Sequence, residues 1–198
     1  MTAPPIILAS TSRIREKLLR NAGVTFTSTA PAVDEAKLKK DNPELDASRL
    51  ALLLAEAKAT AVSVMNPEAI VIGADQVLAD GPRIYDKPKS IVEARHQLTM
   101  LRGKSHKLVS AVSCADHGGI LWSHADEARM TMRMFSDEFL DTYVRECGND
   151  VVASVGAYKL EERGIQLFES IAGDYFTILG LPLLPLLDFL RRQDALPA

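Results

Sequence analysis

The sequence predicts an α/β fold with a mixed, partly antiparallel sheet, and three observations lead there. The chain opens with a short apolar run, a polar turn and an amphipathic helix; helical periodicities alternate with apolar runs through the first half; and the second half is richer in strands separated by glycine turns. At 198 residues, 47% hydrophobic and 25% charged, the chain is long enough to bury a core and has the size of one domain or two closely joined lobes. We read 1–198 as a single domain.

Ile6 to Ala9 reads as a buried strand, followed by Ser10-Thr11-Ser12 and a helix with Ile14, Leu18, Leu19 and Ala22 on one face, stopped by Gly23. Val24 to Thr29 alternates as a second strand. Residues 31–47 are polar and proline-punctuated and read as a long loop. The clearest helix is 48–64, with Leu50, Leu53, Leu54, Ala57 and Ala61 at helical spacing and Asn66-Pro67 ending it. Ala69 to Ala74 reads as a strand ending at Asp75, and Gln76–Leu78 and Arg83–Tyr85 flank an Asp80-Gly81 hairpin signal. A helix from Ser90 to Leu101 opens in capping-box spacing with Glu93 and closes at Gly103. Then come a strand from Lys107 to Ala115, a turn at His117-Gly118-Gly119, and a long strand region in which Met130, Met132 and Met134 alternate as core packing. Ser136 with Asp137 and Glu138 starts a helix that ends at Gly148. Phe176 to Leu179 reads as a strand, and a last helix ends near Arg192.

Composition excludes several classes. A net charge of −3 with mixed signs supplies no field for wrapping a nucleic acid polymer. The N-terminus has an apolar run of only four residues and no basic stretch, so it reads as neither signal peptide nor membrane span, and no other stretch reaches spanning length. Cys114 and Cys147 form no metal-ligand or CxxC spacing. The expectation is a cytoplasmic protein with reduced thiols and no membrane partner.

Several segments carry chemistry. In "LASTSRIREKLL", Ser10, Ser12 and Arg13 stand where a strand feeds a helix N-terminus, an arrangement that binds phosphate through amides, hydroxyls and guanidinium; the same residues also fit plain helix capping with Arg13 in solvent. Gly103-Lys104-Ser105 resembles the end of a Walker motif, but the upstream glycine would fall at Leu98 and the order is helix then strand, so it reads as a turn. Lys58 shares the helical stripe of Leu50 and Leu54 and aims toward the covered side, or snorkels at its edge. Asp75 in "VIGADQV" stands where a carboxylate binds Mg²⁺ or orients water, or else forms a turn. Lys87 precedes Pro88 in an extended segment, and Glu35 lies in the polar loop. Taken together, the cationic and hydroxyl groups with two hard-oxygen carboxylates suit a metal-bound polyphosphate.

In this order the motifs resemble the Maf proteins, nucleoside triphosphate pyrophosphatases of the ITPase-like fold group. The matching segments are "ILASTSRIREKLL", "VDE" at 33–35, "LAEAKA" at 54–59, "VIGADQV" at 71–77, "DKP" at 86–88, "GAYKLEERG" at 156–164 and "GLPL" at 180–183. The resemblance implies an elongated mixed sheet flanked by helices, two lobes with a central nucleotide cleft, and hydrolysis of a nucleoside triphosphate to monophosphate and pyrophosphate. It implies that Ser10, Ser12 and Arg13 hold phosphates, that Lys58 and Lys87 neutralise the chain, and that Glu35 and Asp75 serve a divalent cation, Mg²⁺ with Mn²⁺ as an alternative. Asp75 would be general base or metal ligand. A homodimer is among the assemblies it allows.

Many members carry an aromatic-x-Ile-Gln-Gly pattern where this chain has Tyr158-Lys159-Leu160-Glu161-Glu162, and threonine where it has Gln76. These departures resemble the branch acting on 7-methyl-GTP. N7-methylguanine is cationic, and Glu161 is suited to pair with it or with the guanine donors, with Tyr158 packing nearby. The expected role is removal of modified nucleotides. The alternatives are the dTTP/UTP-directed branch and a non-hydrolysing, nucleotide-binding regulator of cell division.

Overall fold

The structure, a computed structural model, describes residues 3–197. Seven strands form one sheet in the order β2-β1-β3-β5-β6-β7, with β4 paired to β3 off that path. They are β1 (Ile6–Ala9), β2 (Thr27–Ser28), β3 (Ile70–Asp80), β4 (Arg83–Tyr85), β5 (Ser105–Asp116), β6 (Gly119–Met132) and β7 (Phe168–Ala172). The expected mixed sheet is present: β1 runs parallel to β2 and β3, whereas β3–β4 and β6–β7 are antiparallel. The helices are α1 (Arg13–Asn21), α2 (Glu35–Asp41), α3 (Ala47–Ser63), α4 (Ile91–Leu101), α5 (Asp137–Cys147), α6 (Tyr175–Ile178) and α7 (Leu183–Arg192). The described chain sorts into two compact units, the first of residues 1–76, 109–126 and 175–198, the second of 77–108 and 127–174.

In the first unit all four residues of β1 are buried. Ile6, Leu8, Ile70 and Ile72 join Leu18 and Leu19 of α1 and Leu183, Leu186, Phe189 and Leu190 of α7 in one apolar cluster. On the other face Ile7, Ala9 and Val71 pack with Val62 of α3. That contact is close because of small residues. A Cβ on Gly73 of β3 would lie 2.2 Å from the Ala55 carbonyl oxygen and 2.6 Å from the Ala59 nitrogen, so only glycine lets the α3 backbone approach there.

The second unit holds α4, α5, three 3₁₀ turns between Gly148 and Leu167, and β7. Ser90 caps α4 by accepting from the Glu93 amide at 3.2 Å, while Glu93 reaches back to the Lys89 amide at 2.9 Å. Ser136 caps α5 by accepting from the Phe139 amide. Met130 and Met132 are fully buried, but Met134 lies past the end of β6 and is exposed, so the methionine ladder is core only for its first two members.

Four expectations are corrected. Residues 31–47 are not an irregular loop: they contain α2, whose N-cap Asp34 accepts from the Lys37 amide at 2.9 Å. Val24–Thr29 forms only the two-residue β2. β3 does not stop at Asp75 but continues through it to Asp80. Phe176–Leu179 is no strand: residues 175–178 form the turn α6, because the Thr177 and Ile178 carbonyls are taken by side chains from elsewhere in the first unit. Gly103 at φ +67° ends α4 as a turn residue, as expected.

Gly73→Ala is expected to destabilise the protein by about 1–3 kcal/mol through overpacking of α3 on β3, measured by urea unfolding. An unchanged midpoint would show that the helix does not need this approach.

Candidate active site

Lys58 is carried on the buried face of α3 four residues after Leu54, in a run of alanines. The Gly73–Ala55–Ala59 contact sets this helix against β3, and Lys58 Nζ meets Asp75 Oδ1 at 2.6 Å. Its side chain is 8% exposed and that of Asp75 11%. An ammonium taken so far out of water requires a compensating anion, and it has two, since Glu35 Oε1 lies 2.9 Å away. Glu35, at the first position of α2, is 46% exposed, so one end of the triad opens to solvent. The two carboxylates and one ammonium carry a net charge of −1.

The first turn of α1 is linked to the residue before Asp75 through Arg15, whose Nη1 donates to the Ala74 carbonyl. Ser12 occupies the N-cap position but makes no side-chain cap. Its own amide instead donates to Ser10 Oγ at 3.1 Å. Ser12 therefore gives the first-turn amides no side-chain cap, while Ser10 serves the amide of the N-cap residue and Arg13 stands in solvent as the capping reading expected. Ser10 is buried and Arg13 is exposed.

A residue missed in the sequence is Arg15. Its Nη1 donates to the Ala74 carbonyl at 2.9 Å and its Nε to the Gly180 carbonyl at 2.8 Å. Burial lowers the Arg15 pKa from its ordinary value, opposed by the charges of Asp75 and Glu35. The signal was available: Arg15 stands three and four residues before the buried Leu18 and Leu19, so it shares their face of the helix.

Gln76 stands next to Asp75, but its amide nitrogen is committed to protein, with the Ile178 carbonyl at 2.9 Å, Ser110 Oγ at 3.1 Å and the Thr177 carbonyl at 3.2 Å. Among the described residues no three His, Cys, Asp or Glu side chains form a metal-binding group. The pair Glu35 and Asp75 nonetheless matches what Mg²⁺ takes when phosphate oxygens and water complete its shell.

The other three candidates belong to the second unit. Lys87 and Glu161 are exposed. Tyr158 is not a solvent-facing wall: it is buried, its ring edge-on to Phe168 at 4.8 Å and its hydroxyl 2.7 Å from His106 Nε2. Burial pushes the His106 pKa down to about 4, so that imidazole is neutral at pH 7. In the segment 154–164, Lys159 pairs with Asp150 at 2.7 Å and Arg163 with Glu146, while the Ser154 hydroxyl donates to the Tyr158 carbonyl at 2.6 Å. This segment is thus ordered by its own contacts, with the aromatic turned in and Glu161 turned out. Cys114 and Cys147 are free thiols, as expected, and no described helix is long and apolar enough to cross a membrane.

Lys58→Met is expected to cost about 3–5 kcal/mol, because it leaves Asp75 buried without its cation, whereas Lys58→Met with Asp75→Leu is expected to recover most of the loss. Denaturant unfolding of the two variants checks this. A double variant no more stable than the single one would contradict the ion-pair explanation.

Residues 5–193 match the Maf family, described as Maf-like protein. A 7-methyl-GTP pyrophosphatase from Rhizobium meliloti (strain 1021) is 47% identical over 98% of this chain and 99% of its own length. A nucleoside triphosphate pyrophosphatase from Rhodospirillum rubrum is 47% identical over 98% of this chain and 96% of its own, and one from Caulobacter vibrioides is 48% identical over 99% of each. With the family matched over almost its whole length and relatives nearly half identical from end to end, this chain belongs to the Maf family.

Proposed function

We propose that the protein is a nucleoside triphosphate pyrophosphatase that hydrolyses its substrate to the monophosphate and pyrophosphate, with a 7-methylated guanine nucleotide preferred. The observation that carries this reading is the buried Lys58 holding Asp75 and Glu35 together. An ammonium between two hard oxygen donors supports a site for a metal-bound polyphosphate. The names of the relatives, 7-methyl-GTP pyrophosphatase and nucleoside triphosphate pyrophosphatase, support the same reaction.

In this reading the turn of α1, with Ser10, Ser12 and Arg13, holds phosphate oxygens. Glu35 and Asp75 are the residues that would hold Mg²⁺, with Mn²⁺ as a substitute, and the ion would supply charge neutralisation on the phosphates. Lys58 keeps the two carboxylates in place against their mutual repulsion. With Asp75 Oδ1 on Lys58, Oδ2 is the oxygen left for the ion or for the attacking water, and we assign Asp75 to one of these two roles, metal ligand or general base, since a carboxylate that holds the ion is a poor base. Lys87 is assigned to the phosphate chain and Glu161 to the base.

The preference rests on Glu161, an exposed carboxylate suited to a base that carries positive charge. A charge-assisted contact of this kind is worth about ten- to a hundredfold in kcat/KM. Turnover of 7-methyl-GTP, GTP, UTP, dTTP and CTP by the native protein and by Glu161→Gln tests it. The variant is expected to lose 7-methyl-GTP hydrolysis by about that factor while UTP hydrolysis stays within about twofold. Equal losses on both would contradict the base assignment, and dTTP or UTP as the native protein's best substrate would replace it with the pyrimidine-directed reading.

A further inference from the structure

Two features of the first unit have no part in that chemistry: the half-buried Arg15 and the "GLPL" segment at 180–183. They meet. Arg15 reaches from α1 to two carbonyls far apart in sequence, Ala74 and Gly180, with Ser10 Oγ at the outer limit of 3.5 Å. A guanidinium presents donors in a rigid planar fork, so bonding two carbonyls at once fixes their spacing and direction.

The segment it grips is tightly built. Leu179, Gly180 and Leu181 close a turn by donating their amides to Tyr175, Thr177 and Phe176 carbonyls. Gly180 sits at φ +94°, a conformation that side-chain-bearing residues rarely adopt. Leu181 and Leu183 anchor the C-terminal side of the turn in the core with α7. From the other direction Gln76 donates to the Thr177 and Ile178 carbonyls. Both chain neighbours of Asp75 are therefore tied to this one turn: Ala74 through Arg15, and Gln76 directly.

We propose that Arg15 is a positioning residue for the hydrolysis: by locking the peptide before Asp75 to the 177–181 turn, it fixes the direction of the Asp75 carboxylate without binding the phosphate chain itself. The proposal rests on the function given above, and it separates two roles by their kinetic signature. A misdirected carboxylate costs turnover, whereas a lost phosphate ligand costs binding.

The test uses the full chain with Arg15→Lys, which keeps the charge but cannot span both carbonyls, and Arg15→Gln, which keeps a donor without the charge. Either variant that retains the native far-UV circular dichroism decides the matter. For it, kcat is expected to fall about 10²-fold with KM within about twofold of native, and amide exchange across 179–181 to quicken at least about tenfold. A KM raised about tenfold at unchanged kcat would make Arg15 a phosphate ligand and overturn the proposal. Native kinetics in Arg15→Lys, or unchanged exchange across 179–181, would overturn it as well. If the native protein releases no pyrophosphate from any nucleotide, the functional reading fails instead, and the exchange measurement alone decides whether the lock exists.

Discussion

The burial of one ammonium group is the constraint around which the first unit is arranged. Lys58 sits on the covered face of α3, where a lone cation would be prohibitively costly, and the cost is met by Asp75 from β3 and Glu35 from α2. Bringing these three together requires α3 to lie almost on the backbone of β3, which the absence of a side chain at Gly73 and the alanines at 55 and 59 permit. A packing feature in the sheet thus sets an electrostatic feature in the site.

The surroundings of Asp75 combine backbone and side-chain supports in the same way. β1 pairs with β3 as far as Gly73, and immediately beyond it the Ala74 carbonyl is held by Arg15. The Gln76 amide is held by the turn at 177–178. The Asp75 carboxylate is buried within β3, with supports on both sides, while Glu35 at the other end of the triad remains open to solvent. Such a combination suits a group that must keep one direction while a charged ligand enters and leaves.

Much of the fold was legible because local signals and packing agreed. Helices α1, α5 and α7 have strong apolar periodicity, and Ser90 and Ser136 cap as their positions suggested. Where the signals parted, the reading failed. α2 buries no residue, so no periodicity marked it, although Asp34 was a cap in plain view. The β-branched and aromatic composition of 176–179 suggested a strand, but side-chain bonds from Gln76 and Ser110 hold it as a turn. Asp75 was placed at a strand end because the apolar run stops there; the strand continues through it, and the charge is tolerated because its partner Lys58, 17 residues upstream, is buried with it. Of the site, the residue types at 35, 58 and 75 were legible, but their contact was not. Tyr158 was taken for a ligand-facing aromatic, and its role in the core depends on His106, 52 residues away.

The bond that is broken tests the central claim most directly. Hydrolysis of one triphosphate in ¹⁸O-water, with products resolved by mass, reports which phosphorus the water attacks. Pyrophosphate together with a nucleoside monophosphate, and the label confined to those two products, is the expected result for cleavage between the α and β phosphates. Nucleoside diphosphate with labelled inorganic phosphate would contradict it, and would turn the triad of Lys58, Asp75 and Glu35 toward the terminal phosphate instead.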